Sequence, residues 1–255
     1  MRIVITQPTY LPWIGYFDLM DQVDCVVALD SVQFEKRSWQ QRNRIKTPHG
    51  LEWLTIPVTF QRSVGQRIQD VNICQPCFWE KHLRVIEHNY RRAPYFDLYF
   101  PQLLEALSTH GEYPTLVNLN LGLIEWFFRV LGIGPKLICS SDLDEKGKRC
   151  ELLVNLCRRL EADFYLSPLG SAGYLLQDLD RFSEAGIQVA FQNYEHPQYR
   201  QMFQPFCPYA SALDLVFNEG DRSMEIIRSG RRLPFTPDQV PVASTVGNDA
   251  MTVTR

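Results

Sequence analysis

The chain has 255 residues, 45% of them hydrophobic and 22% charged, a globular balance with room for one large domain or two small ones. The formal net charge of −3 excludes a global positive field that would gather nucleic acid. The first residues lack the basic and apolar regions of a signal peptide, and no apolar run reaches the roughly 20 residues of a membrane helix, so a soluble, cytoplasmic protein without membrane contact is expected.

In chain order, residues 2–6, "RIVIT", read as a buried strand, 15–22 as a short helix and 24–30, "DCVVALD", as a second strand, a compact βαβ signature. Residues 31–50 are polar and basic and read as a long functional loop; 52–58, "EWLTIPV", read as a strand that Pro57 ends or places at an edge. The middle is helical. Trp79, Leu83, Ile86 and Tyr90 share one helical face, residues 95–109 continue the pattern, and Leu116, Leu119, Leu123, Phe127 and Leu131 form a stripe that Gly132 ends. Strands at 136–141, 163–167 and 187–192 then alternate with helices at 147–161 and 175–185, and short helices follow at 212–217 and 221–229.

This rhythm predicts an α/β, Rossmann-like, mostly parallel sheet with a helical insertion. The expected divisions are an N-terminal α/β part at 1–74, the insertion at 75–133, the rest of the same domain at 134–232 and a flexible tail at 233–255. Ligands of such sheets sit at the carboxyl ends of the strands, which draws attention to the loops after residues 6, 30, 139 and 167. The seven cysteines lack framework spacing, and Cys74 and Cys77, with His82 and His88 beyond, match no common zinc arrangement, so ordinary thiols and no metal are expected.

Four stretches could carry chemistry. "QPTYLPWIGYF" (7–17) offers the Gln7 amide at a strand end, the rings of Tyr10, Trp13 and Tyr16, two stiffening prolines, and Gly15, which permits a turn or a close approach to a ligand. The alternative for these rings is a small core closing the sheet end. "DSVQFEKRSWQQRNRIK" (30–46) crowds Lys36, Arg37, Arg42, Arg44 and Lys46 among Gln33, Asn43, Phe34 and Trp39. Arginine forks grip phosphate or carboxylate at two points, so an anionic ligand such as a nucleotide or nucleotide sugar is expected there; the alternative is a solvated charged face. "YLSPLGSAGYL" places Ser167, Gly170, Ser171 and Gly173 where an N–H nest or a plain strand–helix connection would both fit. Between residues 193 and 220, His196 is the candidate general acid or base, and Asp214 and Asn218 lie one helical turn apart as an inward polar pair, structural or ligand-binding.

These strings, with "VALDSVQFEKRSWQQRNRIK", "WLTIPV" and "SALDLVFNEG", resemble the WbqC-like family from about residue 3 to residue 229. Two positions depart from the family pattern: Gln41 stands where Asn is usual in "WQQRN", and Pro168 replaces a glycine and removes one N–H donor. The resemblance implies a place in bacterial surface-polysaccharide (O-antigen) biosynthesis, with N-acylation or aminoacylation of a nucleotide-linked amino sugar as the activity. The N-terminal thirty residues are also similar to pantothenate synthetase, a nucleotidylyl-transferring α/β protein, although "WIGY" lacks both histidines of the HxGH turn. That second likeness implies ATP with Mg as cofactor, through an adenylate that an amine then captures. An aminoacyl-tRNA donor would need no ATP. In the resulting expectation Lys36, Arg37, Arg42 and Arg44 hold diphosphate or an activated carboxylate, and Tyr10, Trp13 and Trp39 stack on base or sugar. Gln7, Gln33 and Asn43 orient the ligand, Tyr16, Ser167, Asp214 and Asn218 complete the binding set, and His196 deprotonates the amine. A non-catalytic nucleotide-sugar or partner-binding protein is the other expectation.

Overall fold

The computed structural model describes residues 1–241 except 60, 62–64, 76 and 112–113. Strand β1 (Arg2–Thr6), helix α1 (Ile14–Met20) and strand β2 (Cys25–Ala28) form the first parallel unit. A long excursion follows. It contains the antiparallel hairpin β3 (Arg42–Thr47) and β4 (Gly50–Thr55), and a short ribbon of β5 (Val58–Thr59) with β6 (Asn72–Ile73). Three helices complete it: α2 (Phe78–Tyr90), α3 (Phe96–Gly111) and α4 (Leu116–Leu131). Alternation resumes with β7 (Lys136–Cys139), α5 (Ser140–Leu143), α6 (Cys150–Arg159), β8 (Phe164–Ser167), α7 (Ala172–Leu175), α8 (Leu179–Glu184) and β9 (Gln188–Phe191). Helices α9 (Ala212–Glu219) and α10 (Ser223–Ser229) close the fold.

The main sheet has the order β7-β2-β1-β8-β9, and every pair in it is parallel. Counted in order of appearance this is 3-2-1-4-5, the doubly wound arrangement, so the fold is α/β and Rossmann-like with a helical insertion. Side chains alternate across it. Val4, Val26 and Leu166 face the core shared with α1, α2, α3, α4 and α9, whereas Ile3, Ile5, Val27 and Val189 face the core under α6 and α8. The order reverses between β1 and β8, so the carboxyl ends at Thr6 and Ser167 flank the crevice where such sheets bind ligands.

Three local expectations change. The basic stretch is not a loop throughout, since residues 42–47 pair with 50–55 around a turn in which Gly50 has φ 108°. The helix expected at 175–185 is broken, because Asp178 leaves helical geometry with φ −127° and the Asp178 amide closes a turn onto the Leu175 carbonyl. The segment after Pro234 is not wholly a tail: the Phe235 and Phe191 backbones exchange two hydrogen bonds of 2.8 Å, and Pro237–Gln239 form a 3₁₀ turn. Residues 242–255 lie outside the described residues. Cys74 and Cys77 are exposed free thiols, and among the described residues no cluster of three or more His, Cys, Asp or Glu could hold a metal ion. No described helix is long and apolar enough to cross a membrane.

Gly15 allows a close approach, but what approaches is the protein's own indole. A Cβ on Gly15 would lie 2.1 Å from the Trp13 ring. Gly15→Ala is therefore expected to destabilise the fold by about 1–3 kcal/mol, because the ring must leave its place. Urea unfolding measures this, and an unchanged midpoint would show that the indole moves aside freely.

Candidate functional site

Strand β3 has two faces with opposite work. The inward face carries Asn43, 2% exposed, whose Nδ2 donates to the carbonyls of Tyr10 at 3.1 Å and Leu11 at 2.9 Å. The Tyr10 amide donates to the Trp39 carbonyl at 2.9 Å, and Gln40 Nε2 donates to Gln7 Oε1 at 2.7 Å. From α4, buried Asn120 donates to the carbonyls of Pro8 at 3.2 Å and Gln40 at 2.8 Å. The Ser211 and Ala212 amides donate to Arg44 and Pro12 carbonyls, each at 2.8 Å. The aromatic segment after β1, the basic stretch and the start of α9 are thus one assembly above the carboxyl end of β1.

The other face of β3 carries Arg42 and Arg44, with Trp53 paired directly opposite Arg44. The Arg42 guanidinium lies 4.0 Å from the centre of the Trp53 ring; that of Arg44 lies 5.4 Å from Trp53 and 5.5 Å from Trp39. The two indoles are themselves 5.3 Å apart. No carboxylate lies within 4.0 Å of either guanidinium among the described residues, and both Nε atoms are buried without a partner. Burial lowers both pKa values, with a further lowering from Arg37 on Arg42 and from Arg42 on Arg44. Two crowded cations on ring faces, with donors free of protein acceptors, suit an anion that also has an aromatic part. Lys36 and Arg37 are exposed, and Arg37 is close enough for its charge to act on Arg42. Arg37 has φ 65°, and its amide donates to Gln41 Oε1 at 2.9 Å, so the departure at Gln41 supports the turn that carries these cations. Gln33 is exposed and bridges to Arg67 through its backbone.

Several expected ligand residues are structural instead. Tyr10 is fully buried and its hydroxyl meets His82 Nδ1 at 2.7 Å, so it offers no stacking face. Burial takes the His82 pKa down to about 4. Tyr16 is buried and donates to the Gln7 carbonyl at 3.1 Å. Asn43 is consumed in the latch just described. Trp13 is half-buried and packs against the rings of Tyr194, His196 and Tyr209. Ser167 is fully buried and its hydroxyl donates to the Pro168 carbonyl at 3.2 Å. No N–H nest forms there: neither Gly170 nor Gly173 has positive φ, and the Ser171 amide already donates to Pro168 at 3.0 Å.

His196 is also occupied. The Tyr209 amide donates to its Nε2 at 3.1 Å, so Nδ1 carries the proton and donates to the Pro197 carbonyl at 2.8 Å. Burial lowers its pKa. It braces the 196–211 loop with its lone pair taken, rather than standing ready as a general base.

Asp214 is fully buried at the centre of a network. Its Oδ1 accepts from the Tyr90 hydroxyl at 2.9 Å, and its Oδ2 from the Tyr199 hydroxyl and Gln201 Nε2, each at 2.8 Å. Asn218 donates to the Asp214 carbonyl at 2.7 Å, which is a helical-turn contact rather than a side-chain pair. The partners of this network come from distant parts of the chain that no motif joins. Lys46, 1% exposed, donates to the Pro205 carbonyl at 2.8 Å and Cys207 Sγ at 3.1 Å, and Gln201 exchanges two hydrogen bonds with the Cys207 backbone. Trp53 was legible through the turn "TPHG": pairing "RNRIKT" with "GLEWLT" around it sets Trp53 opposite Arg44.

The class is a doubly wound α/β protein whose β3–β4 hairpin carries two arginines without an ion pair among the described residues. The sequence model of the WbqC-like protein family matches residues 7–226, and the chain belongs to that family. The "Uncharacterized protein Rv1507c" of Mycobacterium tuberculosis (strain ATCC 25618 / H37Rv) is 35% identical over 236 residues, covering 91% of this chain and 99% of that protein. No solved structure matches the chain significantly.

Burial pushes the Asp214 carboxyl up to about 6, against the opposing pull of its hydrogen bonds and of Lys46. The folded state then keeps a proton that the unfolded chain releases, so this group's contribution to stability falls as pH rises from about 4 to 6. At about 1.4 kcal/mol per pK unit the loss is about 3 kcal/mol. Urea unfolding of the native chain and of Asp214→Asn from pH 4 to pH 7 is expected to show the native advantage shrinking by that order. A constant difference would show a carboxyl that titrates as in the unfolded chain.

Proposed function

We propose that the chain binds a nucleotide-linked amino sugar at the Trp39, Arg42, Arg44 and Trp53 patch and forms an amide on its amine, by N-acylation or aminoacylation in surface-polysaccharide biosynthesis. The observation that carries the reading is the pair of guanidinium groups stacked on indoles with no carboxylate within 4.0 Å among the described residues. Arg42 and Arg44 hold the diphosphate, the indole faces receive the base, and Lys36 and Arg37 add charge at the rim. Membership of the WbqC-like family supports the pathway.

The turn that would cradle ATP in the pantothenate-synthetase likeness is filled. The Trp13 indole lies over Gly15, and the Pro12 carbonyl is bonded to Ala212, so the residues present do not fit a triphosphate there. A donor activated beforehand, such as an aminoacyl or acyl ester, suits this chain better. One observation favours the second reading, a binding protein without catalysis: the lone pair of His196 is already occupied by the Tyr209 amide.

Incubating the chain with a dTDP-4-amino sugar and activated acyl or aminoacyl donors, read by mass spectrometry, separates the two. A new amide supports the enzyme, whereas calorimetric binding without turnover of any donor supports the binder. Arg42→Gln/Arg44→Gln is expected to weaken nucleotide-sugar binding about 100-fold or more, from two charge-assisted contacts of about 1.5–3 kcal/mol each, with the melting transition retained. Unchanged affinity in that variant would remove the site.

A further inference from the structure

A second basic feature lies apart from the arginine patch. Lys81, Arg84 and His88 occupy one exposed stripe of α2, and exposed Arg92 continues it in the turn beyond. The stripe extends about 16 Å at 1.5 Å per residue. Arg84 has only a 4.0 Å contact with Glu80, and neither Lys81 nor Arg92 has an ion pair among the described residues.

Two cavities open beside this stripe. One, of about 520 Å³, lies between α2 and the β3–β4 turn at Pro48 and His49; the other, of about 410 Å³, lies between the end of α2 and Met202 with Phe203. They share His88 and Asn89 and so form adjoining compartments of one groove. Glu52 is the one carboxylate among the residues lining them, and the Thr47 hydroxyl donates to it at 3.3 Å.

A single diphosphate is too short to meet cations spread over this length, and a flat anionic surface cannot follow a concave groove. A stacked nucleic-acid strand advances about 3.4 Å per phosphate, so about 16 Å accommodates four or five phosphates. Phe203 and the His49 ring add faces for bases. We propose that this groove seats a single-stranded phosphodiester chain, with Lys81, Arg84, His88 and Arg92 on its phosphates. The local stripe provides the attraction that the acidic whole chain lacks.

The test is fluorescence anisotropy of the full chain with 12-nucleotide single-stranded RNA and DNA of one sequence, at 50 and 200 mM salt. Binding is expected, with a log–log salt slope of about −2 to −3 at about −0.7 per phosphate neutralised. The better of the two polymers identifies the source of the strand. Lys81→Gln/Arg84→Gln/His88→Gln/Arg92→Gln, all at exposed positions, is expected to lose at least tenfold in affinity with an unchanged melting curve and unchanged nucleotide-sugar binding. Failure here is therefore distinguishable from failure of the arginine-patch reading. No binding at 50 mM salt, or equal affinity in the fourfold variant, overturns the proposal. So does displacement by tripolyphosphate as effective, per phosphate, as displacement by the unlabelled 12-mer.

Discussion

Two buried side-chain amides, Asn43 and Asn120, hold the N-terminal segment to the rest of the protein. The segment from Pro8 to Pro12 is neither helix nor strand, yet its carbonyls are enclosed. A buried carbonyl without a donor costs about 1–3 kcal/mol. Asn43 answers those of Tyr10 and Leu11, and Asn120 answers those of Pro8 and Gln40. Because Asn43 is on β3, satisfying the loop also fixes the register of that strand. Its neighbours Arg42 and Arg44 must then point to the opposite face, by the two-residue period of a strand.

Where the acids are placed matters as much as where the arginines are. Asp18 and Asp21, in and after α1, are committed to Arg228 and Arg231 near the C-terminus, with Asp18 bonded to Arg231 at 2.7 Å and Arg228 to Asp21 at 2.7 Å. This clamp closes the far end of α1, and elsewhere, among the described residues, Arg42 and Arg44 stand with no carboxylate within 4.0 Å. Two neighbouring, partly buried cations without a counter-ion lower stability. A native sequence that keeps them breaks a local rule, and such breaks are expected at functional sites. The indoles of Trp39 and Trp53 offset part of that cost through their negative faces.

The same distinction separates what was legible from what was not. The sheet was readable because buried parallel strands are short apolar runs, as in "RIVI", "CVVA" and "FYLS". The helices were readable from their stripes; residues 7–16 and 30–46, which follow β1 and β2, do meet, but through direct hydrogen bonds such as that of the Tyr10 amide to the Trp39 carbonyl, where a ligand was expected between them. The strand at 42–47 was not readable, because "RNRIKT" has no apolar alternation: one face is held by an amide, Ile45 and Thr47, and the other by Arg42, Arg44 and the buried Lys46. The roles of Tyr10, His196 and Asp214 were equally hidden. Each has a side chain suited to chemistry, and only its partners, at His82, at Tyr209 and Pro197, and at Tyr90, Tyr199 and Gln201, show it to be spent on structure.

By itself, then, the sequence determined the doubly wound class, the helical insertion and the two segments that meet over the first strand, because those depend on hydrophobic period and on order along the chain. Tertiary structure alone decided which polar groups remain free. Hydrogen-bond satisfaction is a property of neighbours far apart in the chain, 72 residues in the case of Tyr10 and His82, and no local pattern encodes it.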